Sequence, residues 1–133
     1  MIGIGIDSIE INRFKAWHHF SNQQLLRIFS PSEIAHCREK PFLSAQRFAA
    51  RFASKEALFK AWYNAIPNFH FPFLRFCKAV SIEKGDYNEP RVILFQELFP
   101  TLTHSIIPHI SITHTKTTAT AIALLEFILI EKK

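Results

Sequence analysis

The segment from roughly Ser44 to Ala65 constrains the fold of this chain more than any other. Phe48, Phe52 and Phe59 fall within a narrow arc at about 3.6 residues per turn, so the segment predicts a long helix with a buried aromatic stripe. Ala49, Ala53, Glu56 and Lys60 share the adjacent arc. Small alanines around a glutamate and a lysine let another group come close to those two charges. Elsewhere, Glu and Lys at i,i+4 form an ordinary surface ion pair worth a few tenths of a kcal/mol, and that reading stays open here.

The flanking segments supply the rest of the fold. Met1–Ile6 alternates Ile with Gly or Met and reads as a short strand. Asp7 with Glu10 three residues on forms a capping-box pattern, which predicts a helix from Ser8 to about Trp17. Ser21 with Gln24, then Ser30 with Pro31 and Glu33, repeat the start signal and predict short helices near 22–29 and 31–40. Residues 66–76, IPNFHFPFLRF, read as an aromatic loop that a neighbouring subunit could cover. Segments 78–83 and 91–95 are strand-like around a turn at 85–90, and 109–115 and 117–130 complete a sheet. The expectation is an α+β class: one domain, residues 1–133, with a helical N-terminal half packed on an antiparallel sheet.

Composition narrows the function. Only three glycines are present, Gly3, Gly5 and Gly85, and they supply neither a Rossmann fingerprint nor a Walker loop. Cys37 and Cys77 make no C-x-x-C pair, and the seven histidines show no metal-finger spacing. Residues 119–130 are too short to span a bilayer. The chain reads as soluble and cytoplasmic, with no membrane partner. The balance of 16 Lys+Arg against 11 Asp+Glu gives a net +5, which favours an acidic or phosphate-rich partner. No basic block is long enough for a nucleic-acid arm.

Asp7 at a strand end and Glu56 on an alanine-lined helix face are two hard carboxylates of the kind magnesium takes alongside waters and phosphate oxygens. Asp7 read from its local sequence alone is first a helix N-cap, and the two roles can coexist. Lys60 lies one turn beyond Glu56, placed to meet negative charge. Ser111, Thr113, His114, Thr115 and Lys116 cluster donors at a strand end as an anion cradle, although a lone histidine such as His114 is more often a hydrogen-bonded structural residue.

Three blocks together are similar to a known family. Gly3–Phe14 (GIGID-x-x-E-I-x-R-F), Arg51–Ala61 (RFASKEALFKA) and Ile110–Lys116 (ISITHTK) resemble, in order and spacing, the signatures of the holo-acyl-carrier-protein synthases, the short bacterial-type 4′-phosphopantetheinyl transferases. The resemblance implies the 4′-phosphopantetheinyl transferase fold and a Mg2+-dependent reaction supporting fatty acid biosynthesis. In it, the 4′-phosphopantetheine of coenzyme A passes to a serine of an acidic acyl carrier protein, releasing adenosine 3′,5′-bisphosphate. It implies Asp7 and Glu56 as metal ligands, Glu56 and Lys60 as catalytic groups, and Lys60, Ser111, His114 and Lys116 as coenzyme A contacts. It further implies Arg13 as a carrier-docking residue and a homotrimer with active sites between subunits. The chain departs from the family at Trp62-Tyr63-Asn64-Ala65, where a Gly-Thr-Gly turn is usual. It also has Asn88-Glu89-Pro90 for Gly-Lys-Pro, and Pro41-Phe42-Leu43-Ser44 for a basic run.

Overall fold

Alternation at the N-terminus does not stop at Ile6. In the computed structural model, which describes residues 1–68, 71–95 and 104–129, strand β1 runs Ile2–Glu10. Every residue of β1 is paired with strand β5 (Thr118–Leu129), and Ser8 Oγ meets Thr120 Oγ1 at 2.7 Å. This continuous pairing overrides the local capping signal. Asp7 is therefore a strand residue rather than an N-cap. Two 3-10 turns, Ile11–Phe14 and Trp17–His19, stand where the helix from Ser8 to Trp17 was expected.

The next two start signals hold, though both helices are shorter than expected. Ser21 caps α1 (Asn22–Leu25) and Ser30 caps α2 (Pro31–Arg38), each through a reciprocal capping box. Helix α3 (Ser44–Ala65) matches its expected bounds. The aromatic segment departs from expectation: its second half is helix α4 (Phe73–Ala79), while Phe69 and His70 lie outside the described residues. Phe73 rests on Phe52 and Phe59 at 5.9 and 5.3 Å between ring centroids, and Phe71 and Phe76 are buried. The same chain, not a neighbour, covers these rings.

Strands β2 (Val80–Lys84) and β3 (Pro90–Leu94) form a hairpin, and β4 (His104–His114) joins the main sheet. Ile130, expected to end the last strand, lies outside the described residues. The main sheet has order β1-β5-β4, all antiparallel, with β3 lying against β4. This is the expected α+β class.

Helix α3 packs on one face of the sheet, chiefly over β1 and β5. The contact is made of small residues: Ala53, Ala57 and Ala61 from the helix, Ala119, Ala121 and Ala123 from β5, all buried. The closest approach is at β1. A Cβ on Gly5 would lie 2.1 Å from the Ala57 carbonyl oxygen, and one on Gly3 would lie 2.0 Å from that of Ala61. What comes close to the charged arc of α3 is thus the strand that carries Asp7. No helix among the described residues is long and apolar enough to cross a membrane.

Candidate functional site

Asp7 shares the inward face of β1 with Gly3, Gly5 and Ile9, which aims its carboxylate at α3. There it meets Lys60, whose Nζ donates to Asp7 Oδ1 at 3.0 Å and to the Ile6 carbonyl at 3.1 Å. The i,i+4 pair of Lys60 with Glu56 is therefore not the bond that forms; Lys60 reaches across to the strand. Glu56 is half-buried, and its carboxylate makes no hydrogen bond among the described residues. Its carboxyl is held above the usual range by burial first and by the Asp7 charge second, against the pull of Lys60 and Arg13. Arg13 is exposed on the Ile11–Phe14 turn, which Phe14 anchors to α3 by a ring contact of 5.5 Å with Phe52. The fold thus brings Asp7, Glu56, Lys60 and Arg13 within electrostatic reach of one another at the β1 edge of the sheet.

Two carboxylates, one with its ionised form disfavoured by burial and a like charge, make a site that a divalent cation relieves. They fit magnesium, which takes few protein oxygens and completes its shell from water and phosphate. No cluster of three or more His, Cys, Asp or Glu side chains suited to a metal occurs among the described residues.

The opposite edge of the sheet is cationic. A cavity of about 300 Å³ is lined by His36, Arg51, Lys84, Asn88, Pro90 and Ser111, together with Ala50 and flanking residues of β4. Arg51 is buried, and its Nε has no hydrogen-bond partner among the described residues. His36 is pulled down to about 4, by burial and then by Arg51, Arg47 and Lys84, so it is neutral near pH 7. Arg51 and Lys84 carry the charge of this cavity. Asn88 sits at φ 63°, the left-handed backbone that favours glycine, and so keeps the turn a glycine would make. The Glu89 carboxylate accepts from the Tyr87 amide at 2.8 Å, closing the hairpin turn on itself.

Of the donors expected in a cradle, Ser111 lines this cavity. His114, at the end of β4, accepts from Gln46 Nε2 at 3.1 Å. The Thr115 hydroxyl is taken up by the amides of Thr117 and Thr118 in the β4–β5 turn, which also holds exposed Lys116. Lys60 stands apart from these groups, on the far edge with Asp7. Sequence reasoning missed His36, Arg51 and Lys84 as site residues. It also missed a buried pair one residue from Glu56: Lys55 Nζ lies 2.7 Å from Glu33 Oε1, both fully buried. Lys55 further donates to the carbonyls of Ile28, Cys77 and Val80, and Glu33 accepts from the Ser30 and Ile82 amides. The capping-box glutamate and the first charge of the Lys-Glu pair were the signals present. Cys37 and Cys77 are buried thiols pushed up to about 12, which leaves no thiolate nucleophile here.

Two carboxylates and a lysine converge at one sheet edge, a set of groups suited to phosphate chemistry. Comparison with known proteins agrees. The family model of the 4′-phosphopantetheinyl transferase superfamily matches residues 3–123. The chain is 34% identical over 128 residues to the holo-[acyl-carrier-protein] synthase of Treponema pallidum (strain Nichols), covering 95% of this chain and 96% of that one. It is 33% identical over 131 residues to that of Mycolicibacterium paratuberculosis, covering 95% and 97%. The crystal structure of the Helicobacter pylori holo-[acyl-carrier-protein] synthase in complex with coenzyme A superposes with a TM-score of 0.68 at 29% identity, covering 95% and 100%. The chain belongs to the holo-[acyl-carrier-protein] synthase family of the 4′-phosphopantetheinyl transferase superfamily.

Proposed function

We propose that this chain moves the 4′-phosphopantetheine of coenzyme A onto a serine of an acidic acyl carrier protein, Mg2+-dependently, in cytoplasmic fatty acid biosynthesis. The observation that carries the reading is the joining of Asp7, Glu56, Lys60 and Arg13 at one edge, in a chain that its relatives match over 95% of its length. Asp7 and Glu56 would hold the magnesium ion, which supplies neutralisation of the pyrophosphate charge. Glu56 takes the proton of the carrier serine as its Oγ bonds to the phosphorus bearing the pantetheine arm. The bond from that phosphorus to the leaving adenosine 3′,5′-bisphosphate breaks, and Lys60 stabilises or protonates the departing oxygen. Arg13, exposed beside this centre, faces the carrier.

The cationic cavity is the place for the nucleotide phosphates of coenzyme A. Arg51 with its unpartnered Nε, Lys84 and Ser111 line it, and His114 and Lys116 lie at the end of the same strand. Lys84 offsets the loss of the family's Gly-Lys-Pro cation, and Glu89 is turned into its own hairpin. The two buried free cysteines suit a reducing compartment.

One chain presents the carboxylates and the cavity at opposite sheet edges, so we assign the working site to the junction of subunits in a homotrimer. The outer face of the sheet supports this: Ile2, Ile4, Ile6, Ile107, Ile122 and Ile128 are all exposed there. A hollow of about 440 Å³ lined by Ile4, Gly5, Ile6, Lys60 and Ile122 runs from Lys60 around the β1 edge onto that face.

The test is intact-mass spectrometry of an unmodified acyl carrier protein incubated with the enzyme, coenzyme A and magnesium, with and without chelator. A chelator-sensitive gain of one phosphopantetheine is expected. No gain, with no coenzyme A binding, refutes the reading.

A further inference from the structure

Helix α4 has two faces. Phe73, Phe76 and Cys77 turn inward, whereas Leu74, Arg75 and Lys78 are exposed. With Arg27, from the turn after α1, these three line a shallow depression of about 250 Å³. Leu74 is 52% exposed, and the residues around it are three cations with no carboxylate among them. None of the three makes an ion pair among the described residues. Arg75 is held in place, its guanidinium 5.3 Å from the centroid of the Phe71 ring. An exposed leucine ringed by unpaired cations is complementary to an amphipathic acidic helix with one apolar side chain among its carboxylates.

Position makes the patch more than a surface charge cluster. Phe73 of α4 rests on Phe52 and Phe59, which precede and follow Glu56 by one turn of α3. Phe14, beside Arg13, also rests on Phe52, at 5.5 Å between ring centroids. Arg13 and α4 are therefore both carried on segments whose rings, Phe14 and Phe73, pack on Phe52, one turn before the carboxylate proposed to receive the serine proton. The geometry points to α4 and Arg27 as a docking surface for an acidic helix of the carrier protein, acting with Arg13 to bring the serine to Glu56. This inference rests on the transfer reaction proposed above. Three cations around a leucine are too few and too apolar for a nucleic-acid track, which needs a longer run of phosphate contacts.

The test variant is Arg75→Glu/Lys78→Glu, which reverses the patch while leaving the inward face of α4 intact; Leu74→Ser is its apolar counterpart. KM for the unmodified carrier should rise by roughly tenfold for the double variant and a few-fold for Leu74→Ser, with kcat and KM for coenzyme A within about twofold of wild type. Carrier affinity of the wild type, measured by calorimetry without coenzyme A, should fall with added salt, and less steeply in the double variant. Should charge reversal prevent folding, Arg75→Gln/Lys78→Gln replaces it, with a rise in KM of roughly threefold expected. An unchanged carrier KM in the folded variants overturns the proposal, as does an equal loss for coenzyme A. Loss of binding to a labelled single-stranded RNA with carrier KM untouched also overturns it. The calorimetric arm separates the two readings. If wild type binds the carrier through this patch but transfers nothing, docking stands and the transfer reaction fails.

Discussion

Replacing Gly5 with alanine tests the link between backbone packing and chemistry. The new Cβ would lie 2.1 Å from the Ala57 carbonyl oxygen, 2.6 Å from the Ala61 amide nitrogen and 2.9 Å from the Lys60 Cβ. Ordinary van der Waals contact begins near 3.4 Å, so strand and helix must separate by more than ~1 Å. Two of the three obstructing atoms are backbone, so no rotamer change relieves them. Overpacking of this kind costs about 1–3 kcal/mol. For a chain of this size each kcal/mol lowers Tm by roughly 3–5 °C.

The displacement lands on the site. Asp7 is two residues beyond Gly5 on the same face, and Lys60 is bonded to Asp7 and to the Ile6 carbonyl at 3.0 and 3.1 Å. A strand that moves off by an ångström breaks both bonds and carries Asp7 away from Glu56. Misplacement on that scale costs about 10²-fold in rate. Steady-state transfer kinetics should therefore show kcat reduced by about 10²-fold at a temperature where the variant remains folded by circular dichroism. Gly5→Ala with wild-type kcat and wild-type Tm would refute the claim that close strand–helix packing sets the Asp7–Glu56 geometry.

Three further outcomes are expected. Lys55→Met strands the buried Glu33 charge and should cost about 3–5 kcal/mol in urea denaturation, while Lys55→Met/Glu33→Gln recovers part of it; strict additivity would show the pair is not coupled. His36 titrates at about 4 when folded and at its ordinary 6.5 when unfolded, so the unfolded state binds more protons between those values. Stability should fall as pH drops through that window, by about 1–2 kcal/mol after solvent screening, and His36→Gln should flatten the profile from pH 7.5 to pH 4.5; an unchanged profile refutes it. Ile4→Glu/Ile122→Glu should convert a particle of three times 15.4 kDa into monomer in light scattering, with transfer lost and far-UV circular dichroism retained; a variant that stays oligomeric excludes this face as the interface.

Legibility of the sequence tracked whether a signal was local. Helix α3 was readable because its aromatic stripe repeats over many turns, and the Ser21 and Ser30 caps because a capping box is complete within four residues. Asp7–Glu10 carries the same local pattern and misleads, because its competitor is pairing with β5 more than a hundred residues away. Residues 66–76, with Pro67 and Pro72, read as an aromatic loop and 78–83 as strand, yet Pro72 sits at the N-cap of α4 (Phe73–Ala79), where no donor is needed, and Phe52 and Phe59 supply the surface on which the helix packs. Asp7, Glu56 and Lys60 were visible in motif blocks. Arg51 opens one of those blocks but was given no role, and Lys84 and His36 lie outside them, since a charged residue carries no local mark of being turned into a cavity.

The division of the site follows from the geometry of α3. Arg51 and Glu56 are five residues apart, which turns them about 140° from each other around the helix axis. One consequently faces the β4 edge and the other the β1 edge, with β5 between and the two edges about 10 Å apart. Complementary groups on opposite edges need a contact that places unlike edges together. In the homotrimer proposed above, the β1 edge of one protomer would approach the β4 edge of the next, a head-to-tail contact that closing into a ring saturates. The apolar outer sheet face, with Ile2, Ile4, Ile6 and Ile122 exposed along adjoining strands, would be the surface such a ring turns toward its axis. The arrangement of charge and the arrangement of exposed isoleucine thus bear on the same proposed assembly from opposite faces of the sheet, which is why the Ile4→Glu/Ile122→Glu variant tests both.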